Sequence, residues 1–199
     1  MSPRTRTVSD SDVLAATSRV MSKVGLAALT LSQVSEEAGL APATLLQRFG
    51  SKRGLLLAVS AASVGGVEAE FAEIRADFDS PVAALIASAS AIAQSAGTVG
   101  EAASHLTFLQ DGDGDPDFHR HALETARRTR DWYRKLIREA IADGELVDCD
   151  AESLARAVEA IARGALATWT IHREGDAATY VRRELGTLLR GYGRGVWAR

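Results

Sequence analysis

The chain has 199 residues, 46% of them hydrophobic, which is enough for one large core or a small module on a larger one and too much for a disordered chain. The net charge of −3 by itself argues against a nucleic-acid binder, but residues 1–58 hold seven Lys and Arg against four Asp and Glu, a balance of +3, and the remaining 141 residues carry −6. A basic head on an acidic body is the distribution expected of a nucleic-acid reader with a separate second function.

Ala, Leu, Arg and Glu recur with helical spacing, and no run alternates as a strand would. The first predicted helix runs from about Ser11 to Val24, with Val13, Ala16, Val20 and Val24 inward and Gly25 as its stop. Thr30 and Gln33 open the second as a capping box, and Gly39 ends it. A short third helix extends from Pro42, suited to a first helical position, to Phe49. Ser51 caps a fourth that runs towards Asp77, with Gly65-Gly66 midway as a bend or a hinge. Asp79-Ser80-Pro81 resets the chain for a fifth helix to about Ala96, and a sixth covers Gly100 to Gln110. After a polar loop over 111–117, Pro116 opens a seventh helix to about Ala142, broken by Asp143-Gly144. The eighth spans Ala151 to His172 and the ninth Ala177 to about Tyr192, with Gly175 between them. The fold class is all-α with about nine helices: a three-helix reading module over 1–55 and a larger helical domain over 56–199. The fourth helix is the only predicted element common to both.

Residues 30–49 form helix, three-residue turn, helix. Val34 and Ala38 face inward from the first, Leu40 plugs the turn, and Leu45 and Phe49 face inward from the second. Such a helix-turn-helix holds its second helix rigidly enough to lie in a major groove. Gly25, Thr30, Val34, Ala38-Gly39-Leu40, Thr44-Leu45, Phe49, Lys52 and Leu55 fall at the intervals of the TetR family of regulators, which the chain resembles closely over about residues 10–58. The resemblance implies phosphate contacts from Thr30 and Lys52. It also implies a reading surface at Ala41, Pro42, Ala43, Thr44, Leu46, Gln47 and Arg48. The family usually carries Ser or Thr at the position of Ala41, Tyr at that of Leu46, and His or Tyr at that of Arg48. Arg48 is expected to compensate by reaching a phosphate or a guanine, and Arg4 and Arg6 are candidates for a minor groove.

The resemblance further implies a ligand pocket in the helical domain. His105, Phe108, Phe118, Trp132, Tyr133, Trp169 and His172 are its candidates, each equally open to a packing role, and a small or medium uncharged molecule is the expected effector. A dimer contact is implied at the last two helices. Ala160, Gly164, Ala167 and Ile171 on the eighth, with Val181, Leu185, Leu188 and Tyr192 on the ninth, are interface candidates or internal core. The function implied is a dimeric repressor released from a palindromic DNA operator by a small molecule, with a helical enzyme or small-molecule carrier as the alternative.

Other chemistries fare poorly. The carboxylates from Asp111 to Asp117 recur like a calcium loop, but Pro116 stands where Gly is needed and Ala122 where a bidentate Glu is needed. His119 and His121 diverge on a helix, Cys149 lies between Asp148 and Asp150, and Gly191–Gly195 follows no strand, so no metal, cofactor or catalytic group is expected. The single cysteine, the absence of an apolar run near the ~18 residues of a membrane span, and a polar start lead to the expectation of a cytoplasmic protein without a membrane partner.

Overall fold

The computed structural model describes residues 8–94, 98–103 and 115–194. Arg4, Arg6, His105, Phe108, most of the predicted sixth helix and the acidic run 111–114 lie outside the described residues. Nine helical segments follow one another among those described: α1 (Asp10–Ala28), α2 (Leu31–Ala38), α3 (Pro42–Phe49), α4 (Lys52–Ala76), α5 (Pro81–Gln94), α6 (described over 99–103), α7 (Pro116–Ala142), α8 (Ala151–His172) and α9 (Ala177–Arg190). No strand occurs among them. An isolated bridge between Leu146 and Gly193 ties the α7–α8 loop to the end of α9.

Local chemistry sets the helix ends. Ser9 and Asp12 form a capping box on α1, and Thr30 and Gln33 form the expected one on α2, with Gln33 N–H donating to Thr30 Oγ1 at 3.2 Å and Thr30 N–H to Gln33 Oε1 at 2.8 Å. α1 leaves the helical path at Gly25, whose φ of 80° L side chains rarely adopt, and then makes one more turn to Ala28. That kink brings Leu29 into the core and leaves Val24 38% exposed, so Val24 does not belong to the inward stripe; Thr17 and Met21 complete it instead.

Two cores result. In the head, Val13, Val20, Met21, Leu29, Val34 and Leu45 close on Leu55 and Leu56 of α4. In the body, Phe71, Leu85, Leu136, Ile137, Leu154, Val158, Leu166, Val181 and Leu185 come together from α4, α5, α7, α8 and α9. α4 is helical without a break through Gly65-Gly66, and a Cβ at either position would meet nothing within 4 Å. By length and composition α4 is also apolar enough to cross a membrane, with a mean hydropathy of 1.5 over its most apolar stretch, which corrects the expectation that no segment is. Its apolar side chains have protein partners: Leu55 and Leu56 serve the head core, Val67 and Phe71 the body core.

α4 is not the sole link between the halves. Phe118, at the start of α7, packs against the head core. Beside it the Arg53 guanidinium grips Asp115 through Nε–Oδ2 at 2.7 Å and Nη2–Oδ1 at 2.9 Å, and reaches Asp117 Oδ2 at 2.8 Å. This paired geometry is the strong form of a charge-assisted hydrogen bond. The Arg53 hydrogen bonds hold both carboxyl groups below the usual carboxylate range.

Candidate nucleic-acid interface

The corner between α2 and α3 is held from inside. Val34 and Leu45 are fully buried, Ala38, Leu40 and Phe49 pack around them, and Leu40 N–H donates to Ser35 O at 2.8 Å. Gly39 ends α2 in the left-handed conformation, φ 67°, which lets the chain turn within three residues. α3 is thereby presented with Ala41, Pro42, Ala43, Leu46 and Gln47 exposed and Thr44 half-buried at the edge. Ala41 has the extended backbone of an N-cap but no side-chain oxygen to cap with.

Arg48 is spent within the chain. Its Nε donates to Asp10 Oδ1 at 2.7 Å and its Nη1 to Val8 O at 3.0 Å, while Nη2 also meets Asp10. It therefore braces the reading helix against the start of α1. Lys52 Nζ donates to Leu26 O at 3.3 Å, and the Thr30 hydroxyl is engaged with Gln33 on an exposed edge.

Ion pairing redraws the charge of the head. Arg19 and Lys23 share Glu37 at 2.7 and 3.2 Å, and these bonds lower the Glu37 pKa. Arg48 takes Asp10, and Arg53 takes Asp115 and Asp117. Of the head cations among the described residues, Lys52 is the one with no carboxylate partner. The positive balance read from residues 1–58 overlooked Asp115 and Asp117, which come from beyond that segment.

Of the expected ligand-pocket residues that are described, Trp132, Tyr133 and Trp169 belong to the body core, while Phe118 and His172 lie apart from it. Phe118 serves the head core. Trp132 and Tyr133 each stack on Phe71 with centroids 6.0 Å apart. Burial raises the Tyr133 pKa, and Trp132 Nε1 is buried without a partner. Trp169 Nε1 donates to Gly175 O at 3.1 Å, which fastens the α8–α9 turn, and His172 is exposed at the end of α8. An open groove of about 410 Å³ lies instead between α4 and α7, lined by Ala61, Val64, Arg120, His121, Leu123, Glu124 and Arg127. His121 was set aside in the sequence as one of two diverging histidines, yet its Nδ1 is buried here without a partner. The signal available was the spacing 120, 123, 124, 127, one face of α7. Arg120 also reaches Asp117 at 3.1 Å, so the groove wall shares a carboxylate with Arg53.

At the other end, Ala160 and Gly164 are exposed, Ala167 is half-buried and Ile171 is 77% exposed, an outward stripe of mostly small residues on α8. Val181 and Leu185 are buried in the chain's own core, which removes them from the interface candidates. α9 has a single apolar stripe and the body consumes it. Tyr180, Glu184, Thr187 and Leu188 meet Ala160, Gly164 and Thr168 along a groove of about 440 Å³ instead. Tyr192, like Leu188, is partly buried against the core.

Residues 13–59 match the family described as bacterial regulatory proteins, tetR family, and residues 106–185 match the tetracyclin repressor-like C-terminal domain. Among solved structures, a TetR transcription regulator from Haloarcula marismortui is 18% identical with a TM-score of 0.76, over 93% of this chain and 98% of that one. A TetR-family regulator from Cytophaga hutchinsonii is 18% identical with a TM-score of 0.73, over 94% and 95%. The regulator FadR from Bacillus subtilis, in complex with stearoyl-CoA, is 17% identical with a TM-score of 0.68, over 90% and 97%. No curated protein sequence matches the chain.

Proposed function

This chain belongs to the TetR family of bacterial regulatory proteins, and on that premise we propose that it is a cytoplasmic, dimeric repressor that leaves a palindromic operator when a small molecule occupies its helical domain. The observation that carries this reading is the braced α3, whose outward face is exposed while its inward face is fixed by Leu45, Phe49 and Arg48. Such a surface has no use in packing. Two copies joined through the outward stripe of α8 would set their reading helices about 34 Å apart, one helical turn of DNA.

The effector is assigned to the groove between α4 and α7. Both walls lead to the head: α4 runs into its core, and Arg120 shares Asp117 with Arg53. A ligand with an apolar body and an anionic group satisfies Ala61, Val64 and Leu123 together with Arg120 and Arg127, and differs from the uncharged molecule expected at first. In binding Arg120 it competes with Asp117 and so biases the clamp. The coupling requires different ligand affinity in the DNA-bound and released states. The FadR neighbour, a regulator of the same fold in complex with stearoyl-CoA, supports a small-molecule ligand for this chain.

Fluorescence anisotropy with the DNA upstream of the gene tests the reading. Lys52→Ala should weaken binding to all sequences alike and reduce the slope of log K against log salt by about one. An unchanged slope would remove Lys52 from the phosphate contacts, and absence of binding by the wild type would overturn the proposal.

A further inference from the structure

We propose that α3 reads A·T base pairs, with Ala43 and Leu46 against thymine methyl groups and Gln47 on the major-groove edge of adenine. The inference rests on the reading of α3 as the recognition helix and adds which bases it selects. Residues three and four apart share a helix face, and Ala43, Leu46 and Gln47 stand at that spacing. All three are exposed, while Leu45 and Phe49 turn into the head core.

The argument is one of elimination followed by fit. Guanine is most often read by Arg or Lys on O6 and N7. α3 has one cation, Arg48, and its donors go to Asp10 and Val8. Cytosine is read through its N4 amino group by a carboxylate, and α3 contains neither Asp nor Glu. What remains on the exposed face is apolar surface and one amide, with the half-buried Thr44 hydroxyl at its edge, a group that discriminates no single base. Leu46 is 47% exposed, a branched apolar side chain in water with the Ala43 methyl one turn behind it. In the major groove the matching apolar group is the C5 methyl of thymine, and the group that matches a Gln amide in two hydrogen bonds is adenine N6 and N7. Both belong to the A·T pair. Leu46 and Gln47 are adjacent, so they address neighbouring pairs in each half-site.

Selection from a random duplex pool tests this, followed by atomic substitution in the selected duplex. The expected half-site core is A·T, and the protein should lose about fourfold in affinity when one core thymine becomes deoxyuridine, the worth of one buried methyl. Leu46→Ala should bind thymine and deoxyuridine duplexes equally at the one position that Leu46 faces, and keep the loss at the thymine facing Ala43. Replacing the facing adenine by 7-deazaadenine removes N7 and should cost the wild type about fivefold, and Gln47→Ala nothing further. Both side chains are exposed, and unchanged thermal unfolding of the variants checks that folding is intact. A G·C core, or equal deoxyuridine losses in wild type and Leu46→Ala at every core thymine, overturns the base assignment while leaving the DNA-binding reading in place. No enrichment over the random pool overturns both.

Discussion

Arg48 and Asp10 lie 38 residues apart and meet only in the folded chain, which is why Arg48 looked like a free cation in the sequence. If it is a brace, Asp10→Ala and Arg48→Ala should lower operator affinity by similar factors, and the double mutant should lose little more than either. Asp10 is mostly exposed, so the coupling energy from such a cycle should not exceed about 1 kcal/mol. Loss confined to one base pair in Arg48→Ala alone would make it a reader after all. Ala41 offers the converse case, a local feature legible from sequence: its backbone, φ −74° and ψ 143°, already has N-cap geometry without a cap. Ala41→Ser should stabilise the protein by about 1 kcal/mol in denaturant unfolding, with the N–H of Ala43 or Thr44 donating to its hydroxyl oxygen. Caps and stops were readable because their partners lie within three residues, as at Thr30 and Ser51. Ion pairs were not.

The same divide holds between elements. The bounds of α3 and α8 coincide with those read from Pro42, Phe49, Ala151 and His172, since a Pro, a cap or a Gly acts on its own turn. Which face of a helix meets which neighbour was legible only in part. One apolar stripe can serve a partner subunit or the chain's own core, and in α9 Val181 and Leu185 serve the core. The contact between α4 and the start of α7 had no sequence signal, because Arg53 and Asp115 are 62 residues apart. It carries a pH signature. With folded pKa values depressed by Arg53, Asp115 and Asp117 contribute stability above their ordinary values near pH 4, and lose it as pH falls through the lowered ones. A carboxyl titration followed by NMR should show both groups titrating below the usual range in the wild type and returning towards it in Arg53→Gln. If neither titration moves, Arg53 does not hold them in solution.

For the whole molecule, the all-α class followed from periodicity and punctuation. The groove between α4 and α7 did not, because a cavity is made by what several helices leave unfilled. Gly164 tests the assembly. It is exposed, and a Cβ there meets nothing within 4 Å, so the Gly164→Arg variant, with unchanged thermal unfolding as the check on the protomer, reports on a second copy. A charge buried unpaired against the partner costs several kcal/mol, so sedimentation should show monomers and operator binding should fall with them. A mutant that stays dimeric moves the interface elsewhere. The packing of Phe118 into the head core has a consequence for how such regulators diversify by recombination. A crossover just after residue 59 would transfer the helix-turn-helix but leave behind the aromatic ring that completes its core and the two aspartates that answer Arg53. The heritable unit is discontinuous: residues 8–59 together with Asp115, Asp117 and Phe118. A hybrid lacking the second piece inherits a reading surface whose core lacks Phe118 and whose Arg53 has lost both of its carboxylates.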